Sequence, residues 1–189
     1  MGLELLLLRH GQTAWSLSGQ HTSSTDLPLL EEGRTQARGL APLLHDLTFA
    51  KILVSPLLRA RETAELAGLK EAVIEPDLFE WRYGVDEGRT TAQILAERPA
   101  WSFWDDGCPG GETPADVAER CDRVLERLGT VEGLVALVAH GHVLRVMVAR
   151  WLGLPPKRGN SWTLGPASLT RLGHEHTTRV IVGLNRDRP

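Results

Sequence analysis

The sequence predicts one α/β domain: a three-layer α/β/α arrangement with a mainly parallel sheet, helices on both faces and an antiparallel edge strand. Three observations carry this. Short aliphatic runs bounded by turns or polar residues alternate with helical patterns, as in chains of βα units. Those runs, Leu3–Leu8, Lys51–Val54 and Leu134–Ala139, are brief and mostly aliphatic, as strands buried on both faces are. No internal repeat, low-complexity tract or linker divides the 189 residues, a length that suits a single domain with its own core.

Taken in order, the first strand, Leu3–Leu8, runs into Arg9-His10-Gly11-Gln12-Thr13. From Glu31 to Leu47, Ala37, Leu40, Leu43, Leu44 and Leu47 recur at helical spacing. After the second strand, Ser55-Pro56 predicts an N-cap followed by proline at the first helical position, opening a helix to about Leu66. Thr113-Pro114 repeats that signal with Asp116 where a capping-box acid belongs, and Val117, Cys121, Val124, Leu125 and Leu128 form one stripe. A helix from Val143 to Leu154 is apolar nearly all round and so central, ended by Gly153 and Pro155. Ser168–Leu172 and Thr178–Leu184 read as a closing antiparallel pair.

Hydrophobic residues make up 42% and charged residues 24%, the balance of an ordinary globular chain. A formal net charge of −3 leaves no basic excess to track a nucleic acid or a membrane surface, although a local cluster of arginines suffices for a small anion. Cys108 and Cys121 have no metal-type spacing; free thiols in a cytoplasmic protein are expected, with a disulfide as the alternative. The N-terminal apolar run is too short for a signal h-region, and no segment has the length of a membrane span, so a cytoplasmic setting is expected.

The chemistry concentrates at strand ends. Arg9-His10-Gly11 closes the first strand, Ser55-Pro56-Leu57-Leu58-Arg59 follows the second, and Ala139-His140-Gly141-His142 closes the third. If these strands are parallel neighbours, two histidines and two arginines meet where ligands bind in open α/β sheets, with helix N-termini adding favourable potential for an anion. A histidine supplies a nucleophile, and an arginine beside it neutralises anionic charge. Glu80, in Leu78-Phe79-Glu80-Trp81-Arg82-Tyr83-Gly84, is the candidate carboxylate, since aromatic neighbours raise a carboxyl pKa; pairing with Arg82 is the structural alternative. His142 lies two positions after His140, and a pocket-lining role fits it better than a metal pair. Gln20, His21 and Thr22 suit either substrate contact or a turn. Trp101, Trp104 and Cys108 suit either a lid or the anchor of a long loop. Arg145 reaches either an anion or an acid, and His45, His174 and His176 read as surface residues.

These motifs resemble the histidine phosphatase, or phosphoglycerate mutase-like, superfamily. Leu8-Arg9-His10-Gly11-Gln12-Thr13 is similar to its nucleophile motif, Ser55 to Ala64 to its second arginine motif, and Ala139-His140-Gly141-His142 to its second histidine motif. The resemblance implies a covalent phosphohistidine on His10, phosphoryl contacts from Arg9, Arg59 and His140, and Glu80 as proton donor. Finer likeness, in Trp15 to Thr22, Asp26 to Leu29, Glu80 to Gly84, Trp101 to Cys108 and Gly111 to Thr113, is to the fungal-type sedoheptulose-1,7-bisphosphatase branch. It implies substrate contacts at Ser16, Gln20, His21, Thr22, Tyr83, Gly141 and His142. Ser16 stands where mutases of the family usually carry asparagine, which weighs against a mutase.

The expected activity is therefore metal- and cofactor-independent removal of phosphate from a small metabolite, with a sugar bisphosphate foremost. A phosphoglycerate mutase, a protein-phosphohistidine phosphatase and an inactive phosphate- or phosphopeptide-binding module are the alternatives. The last usually lacks the nucleophile or an arginine, and this chain has both.

Overall fold

Leu3–Arg9 forms β1, and its surroundings explain why leucines fall on both sides of it: Leu3, Leu5 and Leu7 join one buried cluster while Leu6 and Leu8 join another on the opposite face. The computed structural model describes residues 2–186. The remaining strands are β2 (Phe49–Val54), β3 (Val73–Ile74), β4 (Gly133–Ala139), β5 (Leu169–Glu175) and β6 (Thr178–Arg186). They form one six-stranded sheet in the order β3-β2-β4-β1-β5-β6. β1, β2, β3 and β4 run parallel; β5 is antiparallel to β1, and β6 to β5.

The helices are α1 (Ala14–Ser18), α2 (Glu31–Leu44), α3 (Leu58–Leu66), α4 (Thr91–Glu97), α5 (Phe103–Asp106), α6 (Pro114–Leu128) and α7 (Gly141–Trp151). The apolar stripe of α6, with nearly all of α7, shares a cluster with Leu5, Leu7, Val135 and Leu137. Leu40 and Leu44 of α2, with Ala60 and Ala64 of α3, pack beneath Leu6, Leu8, Ala136 and Val138 on the other face. The three-layer domain with a mainly parallel sheet and an antiparallel edge is thus as the sequence predicts. No helix among the described residues is long and apolar enough to cross a membrane.

Register decides where the chemistry goes. β1 pairs with β4 from Leu3↔Gly133 to Arg9↔Ala139, so His10 and His140 leave neighbouring strands side by side. Val54↔Val138 brings Ser55 to the same edge.

Several boundaries differ from the sequence reading. α2 ends at Leu44, so Leu47 is exposed rather than part of the stripe. α7 begins at Gly141, with His140 itself at the N-cap, and stops at Trp151. Ser55-Pro56 is not the start of α3: the N-cap is Leu57 and makes no side-chain cap bond. The reason is tertiary. The Ser55 hydroxyl is engaged by His140, and the carboxylate that accepts from the Leu58 N–H, at 2.8 Å, is Asp26, 32 residues upstream. Thr113-Pro114 does begin its helix as predicted, with a complete capping box to Asp116.

Candidate active site

At the C-terminal edge of β1 and β4 lies a cavity of about 550 Å³. Arg9 and His10 line its floor, and Glu80, Tyr83, Gly141, His142 and Arg145, together with Ser16, Gln20, His21 and Thr22, line its wall. Arg59 and His140 do not line it; they lie fully buried beneath, with the His140 ring centroid 5.1 Å from that of His10.

The geometry fixes the state of His10. Its Nδ1 lies 2.7 Å from the Gly11 carbonyl, which makes Nδ1–H the donor and leaves Nε2 with the lone pair. Burial, then the charges of Arg59 and Arg9, hold its pKa well below the ordinary imidazole value, so the ring is neutral. The loop beneath it is tight. A Cβ on Gly11 would sit 2.4 Å from the Gly33 carbonyl oxygen, and the Gly11 N–H donates to Thr63 Oγ1 at 3.0 Å. The spacing of Arg59 and Thr63 is explained here: the Thr63 hydroxyl donates to the Arg59 carbonyl at 2.7 Å while accepting from Gly11, so α3 fastens the loop that carries His10.

Arg59 Nε donates to His140 Nδ1 at 3.1 Å, and its Nη2 donates to the Thr22 carbonyl at 3.1 Å. His140 Nε2 then carries the hydrogen and donates to Ser55 Oγ at 2.7 Å. Burial and the neighbouring charge of Arg59 push His140 well below the usual range, so this imidazole is also neutral. Arg9 donates through Nη1 to the Leu164 carbonyl, whereas its Nε is buried without a partner among the described residues. An unpartnered guanidinium N–H beside a neutral histidine calls for an anionic oxygen.

Glu80 is buried facing this group. Its carboxylate accepts from the N–H groups of Trp81 (2.8 Å), Val143 (2.9 Å) and His142 (3.1 Å), the last two in the first turn of α7. Burial raises its pKa and outweighs those three bonds and the charge of Arg59. It does not pair with Arg82, which reaches Glu112 instead. Tyr83, its pKa raised well above the usual range by burial and so neutral, shares a 2.6 Å hydrogen bond with His142 Nδ1, which fixes the His142 ring in the cavity wall.

The other sequence candidates divide. The His21 ring is buried against Tyr83 (4.6 Å) and Phe103 (5.8 Å), kept neutral by burial, with Nε2 3.3 Å from the Thr91 hydroxyl. Ser16, Gln20 and Thr22 line the cavity but bond to the protein itself: Ser16 completes the capping box of α1 with Thr13, Gln20 Nε2 donates to the distant Gly88 carbonyl at 2.7 Å, and Thr22 donates to the Gln20 carbonyl at 3.0 Å. Trp101 and Trp104 form cavity wall and also pack on the core, so that segment anchors and encloses at once. Cys108 and Cys121 are free, buried thiols, each pushed up to about 12 by burial. Sequence reasoning missed Thr13, Thr91, Phe103 and Leu164 in the wall. Leu164 gave no signal at all, because its role belongs to a carbonyl.

Residues 5–187 match the model of the histidine phosphatase superfamily, branch 1. An acid phosphatase of Mycobacterium tuberculosis is 41% identical, covering 95% of this chain and 91% of its own length. A sedoheptulose 1,7-bisphosphatase of Saccharomyces cerevisiae is 36% identical, over 79% of this chain and 67% of that one. The solved product of an open reading frame from Mycobacterium tuberculosis superposes with a TM-score of 0.91 at 39% identity, covering 98% of both chains. With a neutral histidine, an arginine whose Nε–H lacks a partner and a buried glutamate converging at one sheet edge, the chain belongs to the histidine phosphatase superfamily.

Proposed function

We propose that this protein is a metal-independent phosphohydrolase that removes phosphate from a small phosphorylated metabolite, a sugar bisphosphate, through a phosphohistidine on His10. The observation that carries the reading is the neutral His10, its Nε2 lone pair set by the Gly11 bond, next to Arg9, whose Nε–H has no partner among the described residues. His10 Nε2 attacks phosphorus in line with the ester oxygen; the Nε2–P bond forms as the P–O bond breaks. Arg9, with the field of Arg59 behind it, stabilises the charge on the equatorial oxygens, which is mostly what phosphoryl transfer asks of a protein. Protonated Glu80 gives its proton to the leaving alkoxide. As a carboxylate it then takes a proton from the water that attacks phosphorus, and His10 departs as the Nε2–P bond breaks.

Arg145 supports a second anionic group on the substrate. It lies in the cavity wall 4.5 Å from the Trp104 ring centroid, donates through Nε to the Gly159 carbonyl at 2.7 Å, and has no carboxylate partner among the described residues. The buried free thiols support a reducing, cytoplasmic setting for such a metabolic enzyme.

The test is phosphate release in EDTA by wild type and His10→Ala. The panel is sedoheptulose-1,7-bisphosphate, fructose-1,6-bisphosphate, 3-phosphoglycerate and p-nitrophenyl phosphate. The expected result is His10-dependent release, fastest from one sugar bisphosphate, with an acid-labile, base-stable phosphoenzyme that forms in wild type and not in His10→Ala. Interconversion of phosphoglycerates without free phosphate makes the protein a mutase, and binding without turnover makes it a phosphate-binding module.

A further inference from the structure

We propose that the buried Arg120–Glu112 ion pair is the positioning device for Glu80, setting how well the enzyme protonates a leaving group. The proposal rests on the reading of Glu80 as proton donor given above.

Glu80 lies in an irregular stretch between the short 3-10 turns at Pro76–Leu78 and Gly84–Asp86, where neither a helix nor a strand holds the backbone. The ion pair supplies what regular structure does not. Arg120, from the middle of α6, and Glu112, just before that helix, are 6% and 8% exposed. They pair through two parallel bonds, Nε to Oε1 at 2.8 Å and Nη2 to Oε2 at 2.9 Å. The third guanidinium nitrogen, Nη1, donates to the carbonyls of Asp77 (2.6 Å) and Phe79 (3.0 Å), the latter the residue before Glu80. On the far side, Glu112 Oε2 accepts from the Arg82 N–H, its backbone N–H donates to the Arg82 carbonyl, and its own carbonyl accepts from Trp81 Nε1, each at 2.9 Å. Both flanks of Glu80 are therefore tied to one pair.

The backbone packing agrees independently. A Cβ on Gly111 would lie 2.1 Å from the Arg82 carbonyl oxygen, so the segment carrying Glu112 is seated directly on the segment carrying Glu80. A buried ion pair is not the cheapest way to fill a core, because an apolar pair of similar volume is often as stable. Arginine's rigid fork can hold two carbonyls and a carboxylate at fixed angles, which neither an apolar residue nor lysine can do. Glu80 needs that, since its carboxylate must meet the N–H groups of His142 and Val143 while its proton faces the cavity.

The experiment compares Arg120→Lys and Glu112→Gln with Glu80→Gln. It uses p-nitrophenyl phosphate, whose leaving group needs no proton, and an alkyl phosphate, glycerol 2-phosphate, whose leaving group does. Misplacing an acid by about 1 Å costs about 10²-fold. Each variant is expected to lose about 10²-fold in kcat/KM on glycerol 2-phosphate and less than about threefold on p-nitrophenyl phosphate. Combining Arg120→Lys with Glu80→Gln is expected to add no further loss on the alkyl ester. Equal losses on both substrates, or none, from variants with a wild-type melting curve overturn the proposal. Glu112→Gln, which keeps the side-chain volume, decides the matter if Arg120→Lys does not fold. Absence of any leaving-group dependence in Glu80→Gln itself overturns the reading of Glu80 as well, and so separates the two failures.

Discussion

The floor of the cavity hangs on regular structure, and its wall does not. Arg9, His10 and His140 leave the paired ends of β1 and β4, and Arg59 stands in the first turn of α3. Glu80, Tyr83 and Trp101 come from loops and short turns, and Trp104 from the four-residue α5. The floor is cationic and without a carboxylate; the wall brings the carboxylate, the aromatics and Arg145. Strand register fixes the floor to the precision of a hydrogen-bond ladder, which suits the group that every substrate shares, the phosphoryl. The wall is held side chain by side chain, as with Arg120 and Glu112, and it faces the part of the substrate that differs.

If that division holds, a change in the floor acts on all substrates alike. Arg9→Met is expected to lower kcat by about 10³-fold on aryl and alkyl phosphates equally, as removal of a preorganised transition-state donor does. Steady-state kinetics on both classes checks it, and a loss confined to alkyl esters would break the comparison.

Floor and wall also share a cost in acid. Burial holds His10 and His140 below, and the wall's His21 and His142 below, the unfolded value of 6.5. Below about pH 6.5 the unfolded chain takes up protons that the folded chain refuses, so stability falls with pH by about 1.4 kcal/mol per pH unit for each histidine. Glu80 has the opposite sign: raised above 4.5, it holds a proton that the unfolded chain has lost, and it offsets one histidine at most over its window. Urea unfolding from about pH 7 down to about pH 5.5 should show the decline, and His21→Gln should remove one histidine's share of it.

The wall then predicts selectivity. Arg145→Gln is expected to lower kcat/KM for a sugar bisphosphate about tenfold or more beyond its effect on p-nitrophenyl phosphate, which has no second anion. Equal effects would assign Arg145 to packing on Trp104. The smallest effect belongs to Ser16→Ala, which removes the reciprocal half of the α1 capping box, leaves the Thr13 cap in place, and should cost less than about 1 kcal/mol in stability with KM near wild type. A tenfold rise in KM would return Ser16 to the substrate.

The contrast also explains what was legible. The floor was readable because a histidine or arginine just past an apolar strand has its position dictated by the strand: Arg9, His10 and His140 follow from periodicity and parallel pairing. Ser55 was misread as a local cap for the same reason that it matters: its hydroxyl answers to His140, 85 residues away. Gln20 and Thr22 have one spelling for turn and for ligand, and only their bonds to the Gly88 and Gln20 carbonyls separate the two.

By itself, then, the sequence determined the layered domain, the central strand buried on both faces, the capping of α6 and the place of Arg9, His10 and His140 at one sheet edge, because each depends on neighbours within a few residues or on one pattern of alternation. The tertiary structure alone decided the protonation states and the partners. Nothing local records that Arg59 and His140 lie beneath His10, that Glu80 sits against the first turn of α7, or that Arg120 and Glu112 hold its backbone. Desolvation and charge fall off over a few ångströms of space, and residues that close can lie tens of positions apart in the chain.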